Sequence, residues 1–298
     1  MQLGHLTPST DIGGDPAVMA EYARGLVDLG YDFQEVPDHV LGANVASRPN
    51  WAGGNTSKDF FHDPFVLISY LSGIVPKLSF STGVLIVAQR QTALVAKQAA
   101  CVDVLTKGRF RLGIGVGWNE VEFVALNENF HNRGRRSVEQ AQVMQALWKD
   151  EHVTFKGKYH TIDDAGINPR PASGKVPLWY GGAAEHTLPR IAKYGDGWMP
   201  NAYPPDQKAR DIFDELRRLT EKEGRDPASV GIEVWTSCGE GSEADWLKEA
   251  QFWKDAGATH LCLTTTFNRR HHHRIKGQSL SDHFAALKRY RAAIAPVL

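Results

Sequence analysis

The fold is decided by the stretch Arg111–Trp118, with the sequence R-L-G-I-G-V-G-W. It reads as an apolar strand that ends in three alternate glycines and a tryptophan. A glycine at a strand end lets the backbone approach a flat or phosphorylated ligand more closely than a side chain permits. The same glycines also fit a tightly packed corner of a barrel. The motif therefore predicts a strand end and leaves contact with a ligand open.

Short apolar strands alternate with amphipathic helices on both sides of this stretch. The predicted strands are residues 2–6, 31–36, 78–84, 110–116, 176–180, a short one near Trp198, 230–235 and 259–264. Helices are predicted between them, the first of which is capped by Asp15 and stopped by Gly30. Eight strands and eight helices in 298 residues favour an α/β fold, a single (β/α)8 TIM barrel with insertions over residues 1–298. An open doubly wound sheet is the structural alternative.

Two predicted helices carry apolar residues in a readable pattern. The helix after the third strand is expected to carry these core residues: Leu94, Val95, Val102 and Leu105. The helix over residues 242–256 places Trp246, Ala250 and Trp253 on one face. Such an aromatic face fits a buried core and a dimer contact equally well.

The composition limits the classes of partner. Lys plus Arg and Asp plus Glu each number 34, so the formal net charge is zero. Without an overall field to attract polyanions, we expect neither nucleic acid nor a membrane surface as a partner. No apolar run approaches the length of a membrane span, and because the sequence runs from Met1 directly into the first strand, we expect no signal sequence. The three cysteines lie in apolar contexts without metal spacing, which fits reduced thiols in a cytoplasmic protein.

Functional residues of such a barrel lie where its strands end. The second strand ends at Asp38 and His39. A histidine can donate or accept a proton near neutral pH, and an adjacent carboxylate can fix its tautomer. A polar loop cap is the alternative for this pair. His5, at the end of the first strand, is expected to face the same mouth, either as a substrate residue or as a satisfied rim histidine.

Small residues end the third and fifth strands. Thr82 and Gly83 leave room for a planar ring against the backbone, or else mark a bulge. Gly181, Gly182 and Ala183 lead into a predicted helix whose free N–H groups suit a phosphate, with a tight turn as the alternative. The run His271–His273 lies in a basic loop after the last strand. Three consecutive histidines cannot all point one way, so we expect a basic lid or exposed loop and no metal site.

Four motifs together carry a family resemblance. They are F-H-D-P-F at 61–65, residues 96–105, residues 108–120 and G-D-G-W at 195–198. The chain resembles the luciferase-like monooxygenase superfamily, and more narrowly its branch of probable F420-dependent oxidoreductases. The resemblance implies a (β/α)8 barrel that binds FMN or the 5-deazaflavin coenzyme F420 at its C-terminal mouth. It runs from the first to the seventh strand and weakens after Thr264.

The resemblance also implies a role for individual residues. Asp38 and His39 match an acid–histidine pair in which the histidine acts near the reactive carbon of the ring. Gly83 and Val84 match a place where relatives often carry a non-proline cis peptide behind the ring. The other implied contacts are Gly117, Trp118 and Asn119 along the ring and ribityl chain, and Gly181, Gly182 and Ala183 around the phosphate.

Three functions follow as hypotheses. The first is hydride transfer between F420 and a small organic substrate, with His39 moving the accompanying proton. The second is an FMN-dependent two-component monooxygenase that uses reduced flavin and O2 and is fed by a separate flavin reductase. The third is a barrel that binds flavin without turnover. Because relatives commonly pair through barrel helices, we also expect a homodimer.

Two segments depart from the family pattern. Residues 41–60 are rich in Asn, Gly and Ser and contain Trp51. We expect this segment to cover the substrate, with Trp51 as a contact. The loop around His271–His273 is longer and more basic than the turn that the family pattern predicts. Such a loop suits the acidic polyglutamate tail of F420, or is unrelated to ligand.

Overall fold

Eight parallel strands close into a barrel in the computed structural model, which describes residues 1–51, 53–183 and 187–298. In chain order the strands are β1 (Gln2–Leu6), β2 (Phe33–Val36), β3 (Ser79–Thr82), β4 (Leu85–Ile86), β5 (Phe110–Gly115), β6 (Val153–Lys156), β7 (Thr161–Ala165), β8 (Leu178–Gly181), β9 (Gly197–Met199), β10 (Gly231–Ser237) and β11 (His260–Thr264). The ring runs β1, β2, β3, β5, β8, β9, β10, β11, and β11 pairs with β1. The predicted (β/α)8 barrel is confirmed.

Helices follow the barrel strands and cover the outside. They are α1 (Ser9–Ile12), α2 (Pro16–Asp28), α3 (Pro64–Ile74), α4 (Thr92–Thr106), α5 (Glu120–Ala125), α6 (Arg133–Lys149), α7 (Leu188–Tyr194), α8 (Gln207–Lys222), α9 (Glu243–Ala256) and α10 (Leu280–Ile294). The caps follow the sequence signals, since the Asp15 side chain accepts from the Ala17 and Val18 amides at the start of α2. The first residues of the predicted helix after β8, 184–186, lie outside the described residues.

The burial observed in α9 and α4 can be compared with the apolar faces predicted from the sequence. Trp246 and Trp253 of α9 are buried against the core of the same chain, so they do not form an exposed dimer face. In α4, Val95 and Val102 are buried as predicted, whereas Leu94 is 51% exposed and Leu105 is 57% exposed. The prediction for the two leucines is wrong because the face of α4 that packs inward is lined by valine and small alanines.

Inside the barrel, large side chains lie at the bottom and glycines lie at the mouth. The guanidinium of Arg111 lies 4.5 Å from the ring centroids of both Phe33 and Trp179 and closes the bottom. Toward the mouth, β5 and β8 end in the inward-facing Gly115 and Gly181. The bottom of the interior is therefore filled by large side chains, and the strands at the mouth end in residues without side chains.

Beside the barrel, β6 and β7 form a separate antiparallel hairpin. Across the described ranges, no helix has both the length and the apolarity that crossing a bilayer needs.

Candidate active site

His39 lies just beyond β2 at the mouth of the barrel. Its side chain is 20% exposed, and its ring meets the rings of Phe61 and Trp118 edge-on at centroid distances of 4.8 and 6.1 Å. Its Nδ1 lies 3.2 Å from Oε1 of Glu122. Across the described residues, Nε2 of His39 makes no hydrogen bond. One ring nitrogen is held by a carboxylate, and the other is free.

Glu122 is the functional residue that the sequence reasoning missed. It lies in the first turn of α5 and is 1% exposed. Its Oε1 also accepts from the Val40 and Leu41 amides, and its Oε2 accepts from Nε2 of Gln89 at 2.9 Å. Burial opposes the charge, but the hydrogen bonds from His39 and Gln89 lower the pKa of Glu122 below its ordinary value. Glu122 is therefore a buried carboxylate at neutral pH.

Asp38 does not contact the ring of its neighbour His39. Its Oδ2 accepts from the Ile86 amide at 2.9 Å, and its Oδ1 accepts from Arg90 at 2.7 Å. Burial raises the pKa of Asp38, while Arg90 acts in the opposite direction. The predicted acid–histidine pair is thus corrected: the carboxylate that holds His39 is Glu122, because Asp38 turns toward the chain beyond β3.

The floor of the mouth is built around Val84. The Gly83–Val84 peptide is cis, as the family resemblance implied. A Cβ at Gly115 would lie 2.5 Å from Cγ2 of Val84, and one at Gly181 would lie 2.8 Å from Cγ1. The two glycines therefore leave the space in which the valine side chain sits. Thr82 is fully buried, and its side chain donates to the Gly113 carbonyl at 2.7 Å. Its contact with a cofactor stays a prediction.

The segment after β5 shows three different environments. Gly117 has a φ of +74°, which favours glycine, and its carbonyl accepts from Nε of Arg133 at 3.2 Å. Trp118 is 47% exposed and faces the mouth. Asn119 is 1% exposed, and its side chain accepts from the Val121 amide as the cap of α5. This cap occupies the side chain of Asn119, and its contact with the ring stays a prediction.

The segment after β8 offers a backbone surface. The carbonyl of Gly182 accepts from Nε1 of Trp198 at 2.7 Å, and that of Ala183 accepts from the Tyr203 hydroxyl at 2.9 Å. Gly182 has a φ of +101° and open space at its missing Cβ. Gly181, Gly182 and Ala183 thus lie at the end of β8, and the carbonyls of Gly182 and Ala183 accept hydrogen bonds from side chains of this chain. The predicted phosphate contact stays a prediction.

His5 is placed behind the barrel wall. Its two neighbours in β1 point inward, since a Cβ at Gly4 would strike Phe33 and Leu6 packs with Phe33 in the interior. His5 therefore points outward, where Nδ1 bonds to the Tyr22 hydroxyl and Nε2 lies 3.0 Å from Oγ1 of Thr265. The expectation that it faces the mouth is wrong, because strand alternation turns it to the helix layer.

The described residues of the segment 41–60, which are 41–51 and 53–60, include two that pack against Trp118 at the mouth. Trp51 packs on Trp118 with a centroid distance of 5.8 Å. A Cβ at Gly53 would strike Trp118, so the glycine permits this close approach. The indole Nε1 of Trp51 is buried and has no hydrogen-bond partner within the described ranges. This donor is open to a ligand oxygen, and the substrate role of Trp51 stays a prediction.

The histidines of the basic loop have different surroundings, and the rings of His271 and His272 lie against each other with a centroid distance of 4.1 Å. His272 is 3% exposed and lies near Trp235, while Nδ1 of His273 lies 3.4 Å from Glu240. Arg270, from the same loop, donates to the carbonyl of Asn201 at 3.4 Å. Asn201 follows β9 closely, so the loop lies at the mouth on the β9 side.

A buried pair of carboxyl groups lies beneath the floor, and the sequence reasoning missed it. Ligand atoms of Glu35 and Glu233 lie within 4.8 Å of each other. Arg111 donates to Glu233 at 2.8 Å, and Trp235 donates to Glu35 at 3.1 Å. Burial and the nearby Glu233 raise the pKa of Glu35 well above its ordinary value. Burial therefore favours the protonated form of Glu35, and its only sequence signal is a carboxylate at an inward-facing strand position.

The fold and this mouth define a class of protein. The histidine beyond β2, the glycines ending β5 and β8 and the covering segment lie together at the C-terminal end of a (β/α)8 barrel. The chain belongs to the luciferase-like monooxygenase family, whose model matches residues 1–294. The family contains oxidoreductases and monooxygenases that depend on F420 or on FMN.

Two curated relatives show the range of the match. An uncharacterized protein of Mycobacterium tuberculosis is 30% identical over 249 residues, which is 81% of this chain and 82% of that protein. The FMNH(2)-dependent dimethylsulfone monooxygenase of Pseudomonas fluorescens is 32% identical over 114 residues, which is 37% of this chain and 31% of that enzyme.

Two solved structures share the fold over nearly the whole chain. An F420-dependent secondary alcohol dehydrogenase, solved with an F420-acetone adduct, has a TM-score of 0.76 at 19% identity and covers 100% of this chain and 99% of its own. The monooxygenase RslO1 from Streptomyces bottropensis has a TM-score of 0.76 at 14% identity and covers 99% of both chains. These likenesses show the fold.

Proposed function

We propose that this protein is an oxidoreductase that transfers a hydride between coenzyme F420 and a small organic substrate. His39 is the proposed proton donor and acceptor. The observation that carries the proposal is the His39 ring at the mouth, with Nδ1 held by Glu122 and Nε2 without a partner in the described part of the chain. A ring with one nitrogen fixed and the other free is arranged to move a proton.

The residues present fit a flat ring with a phosphorylated tail. Gly115 and Gly181 present no side chain of their own at the mouth, and they leave space for that of Val84. The backbone after β8, with open space at Gly182, suits the phosphate. When bound, F420 supplies or accepts the hydride. In this proposal Val84 would support the ring, the segment around Trp51 would cover the mouth, and His39 would present its Nε2 atom.

Two features of the mouth bear on the choice of ligands. Nε1 of Trp51 is a buried donor without a partner among the described residues, which suits a substrate oxygen such as that of a carbonyl or hydroxyl group. The basic loop with Arg270 lies on the β9 side of the mouth. Positive charge there suits an acidic tail, as in F420. The alternative is an FMN-dependent monooxygenase fed by a reductase, and its cofactor FMN has no such tail.

The test is a fluorescence titration of the purified protein with F420 and, in parallel, with FMN. We expect saturable binding of F420 and at least tenfold weaker binding of FMN. The difference should shrink as salt is added, because screening weakens the attraction between the basic loop and an acidic tail. Tighter binding of FMN would support the monooxygenase, and binding of neither would contradict both enzymes.

Turnover then tests His39. We expect His39→Ala to bind the cofactor as the wild type does and to lose turnover by 100-fold or more, since general acid–base catalysis contributes about 10²–10⁴-fold. His131→Ala, a histidine near α6, is the control. If His39→Ala binds F420 and turns over as fast as the wild type, the protein is still a hydride-transfer enzyme, but its proton comes from another group. Cofactor binding without turnover on any carbonyl or alcohol substrate would favour the non-catalytic barrel.

A further inference from the structure

We propose that Glu122 is a positioning residue that fixes the tautomer and the orientation of His39. The inference rests on the proposed function, in which His39 moves a proton. Glu122 makes no contact with the open side of the mouth, since it is 1% exposed and both of its oxygens accept hydrogen bonds from this chain. It acts through His39.

The tautomer follows from the contact itself. Glu122 is a carboxylate, and a carboxylate offers only acceptors. The hydrogen bond of 3.2 Å between Oε1 and Nδ1 of His39 therefore requires the proton on Nδ1. In neutral His39 the Nε2 atom is then the acceptor, and it is the nitrogen without a partner within the described ranges. Loss of this contact would let the ring carry its proton on either nitrogen.

The orientation follows from the other bonds of the carboxylate. The oxygen that accepts from Nδ1 also accepts from the Val40 amide at 3.0 Å and the Leu41 amide at 3.4 Å. The second oxygen accepts from Nε2 of Gln89 at 2.9 Å. Bonds on both sides prevent the carboxylate from turning, so the ring and the backbone that follows it are fixed to one point on α5.

Other carboxylates near His39 are engaged elsewhere. Asp38, the adjacent residue, is bonded to Arg90 and to the Ile86 amide. Glu120, two residues before Glu122 on α5, is exposed. Glu122 is thus the carboxylate that contacts the His39 ring in the described chain, and Glu120 provides a matched control on the same helix.

Three variants at position 122 separate the effects of the hydrogen-bond acceptors, the charge and the length of the side chain. Glu122→Leu removes every acceptor at this position. Glu122→Asp keeps the charge but withdraws it by one methylene group from Nδ1. Glu122→Gln keeps an acceptor for Nδ1 and the two amides. Nε2 of Gln89 faces this position in the wild type, so the Gln89 amide must turn for its Oε1, which has no partner among the described residues, to accept from the new NH2 group. We expect the first two to release the ring and Glu122→Gln to rescue it.

The direct measurement is ¹⁵N NMR of the His39 ring in the protein without cofactor, assigned with His39→Gln. In the wild type and in Glu122→Gln we expect the Nδ1–H tautomer to dominate. In Glu122→Asp and Glu122→Leu we expect a mixture of tautomers. Glu120→Gln should match the wild type. Because no cofactor is present, this result stands whether or not the proposed F420 function is correct.

Kinetics supply the second readout. We expect Glu122→Asp to lower kcat by about 10- to 100-fold, the usual effect of losing such a supporting hydrogen bond, with KM within threefold of the wild type. An unchanged tautomer in Glu122→Asp would overturn the proposal. A changed tautomer with wild-type kcat would overturn it too, since Glu122 would then only support the loop. If Glu122→Leu does not fold, Glu122→Asp and Glu122→Gln still decide.

Discussion

Asp38 shows that two residues adjacent in sequence can have unrelated tasks. Its carboxylate joins the Ile86 amide and Arg90, and Arg90 also donates to Asp63, the cap of α3, at 3.0 Å. We expect Asp38→Asn to lower the free energy of unfolding by about 3 kcal/mol, because the amide group leaves the cation of Arg90 without its buried partner. Urea unfolding at pH 7 measures this change.

Activity supplies the contrast for Asp38→Asn. Since Asp38 does not touch the His39 ring, the folded variant should lose far less turnover than His39→Ala. The matched control is Asp63→Asn, which removes the more exposed partner of the same arginine and should cost less stability. Loss of turnover as large as in His39→Ala, with unchanged stability, would restore the catalytic role that the sequence suggested for Asp38.

At the level of elements, the sequence predicts regular strands well and irregular ends poorly. The first strand was predicted at 2–6 and forms as Gln2–Leu6. The third was predicted as one strand over 78–84, whereas the structure has β3, a cis Gly83–Val84 peptide and then β4. Apolar alternation reports which residues are half-buried, but it carries no information on the geometry of one peptide bond.

The glycine that ends β5 offers a test of the open mouth. A Cβ at Gly115 would lie 2.5 Å from Cγ2 of Val84, so Gly115→Ala must displace the floor. Overpacking of this kind costs about 1–3 kcal/mol, which predicts roughly tenfold weaker cofactor binding in the fluorescence titration. Gly73→Ala in α3 is the control, because no atom lies within 4 Å of its added Cβ. Equal affinity in both variants would show that the ring does not rest on Val84.

At the level of the whole molecule, the contacts that sequence analysis missed join distant parts of the chain. His39 and Glu122 are 83 residues apart, and His5 and Thr265 are 260 residues apart. The barrel brings strand ends together, so a fold prediction places these residues in one region. It does not choose which side chain turns to which, because a one-residue change in strand phase moves His5 from the mouth to the helix layer.

The buried network around His5 predicts how the stability of the molecule depends on pH. His5 is fully buried between Tyr22 of α2 and Thr265 beyond β11, and His283 of α10 bonds to the same Thr265 hydroxyl at 2.9 Å. Burial first, and then the nearby His283, lower the pKa of His5 well below 6.5. Just below pH 6.5, His5 is therefore protonated in the unfolded chain but neutral in the folded protein. The contribution of neutral His5 to stability is fully present above pH 6.5, and it is lost progressively as the pH drops below that value.

Urea unfolding between pH 7.5 and pH 5 measures this dependence in wild-type protein and in His5→Gln. Each histidine held neutral contributes a loss of about 1.4 kcal/mol per pH unit below 6.5, so we expect the slope of the free energy of unfolding to be smaller by that amount in His5→Gln. Glu35, whose pKa is raised by burial, acts in the opposite direction in both proteins and cancels in the comparison. His152→Gln, an exposed histidine, is the control for removing an imidazole. Parallel slopes for wild type and His5→Gln would mean that the folded protein accepts a proton at His5, and the Tyr22–His5–Thr265 contacts would then not hold the ring neutral.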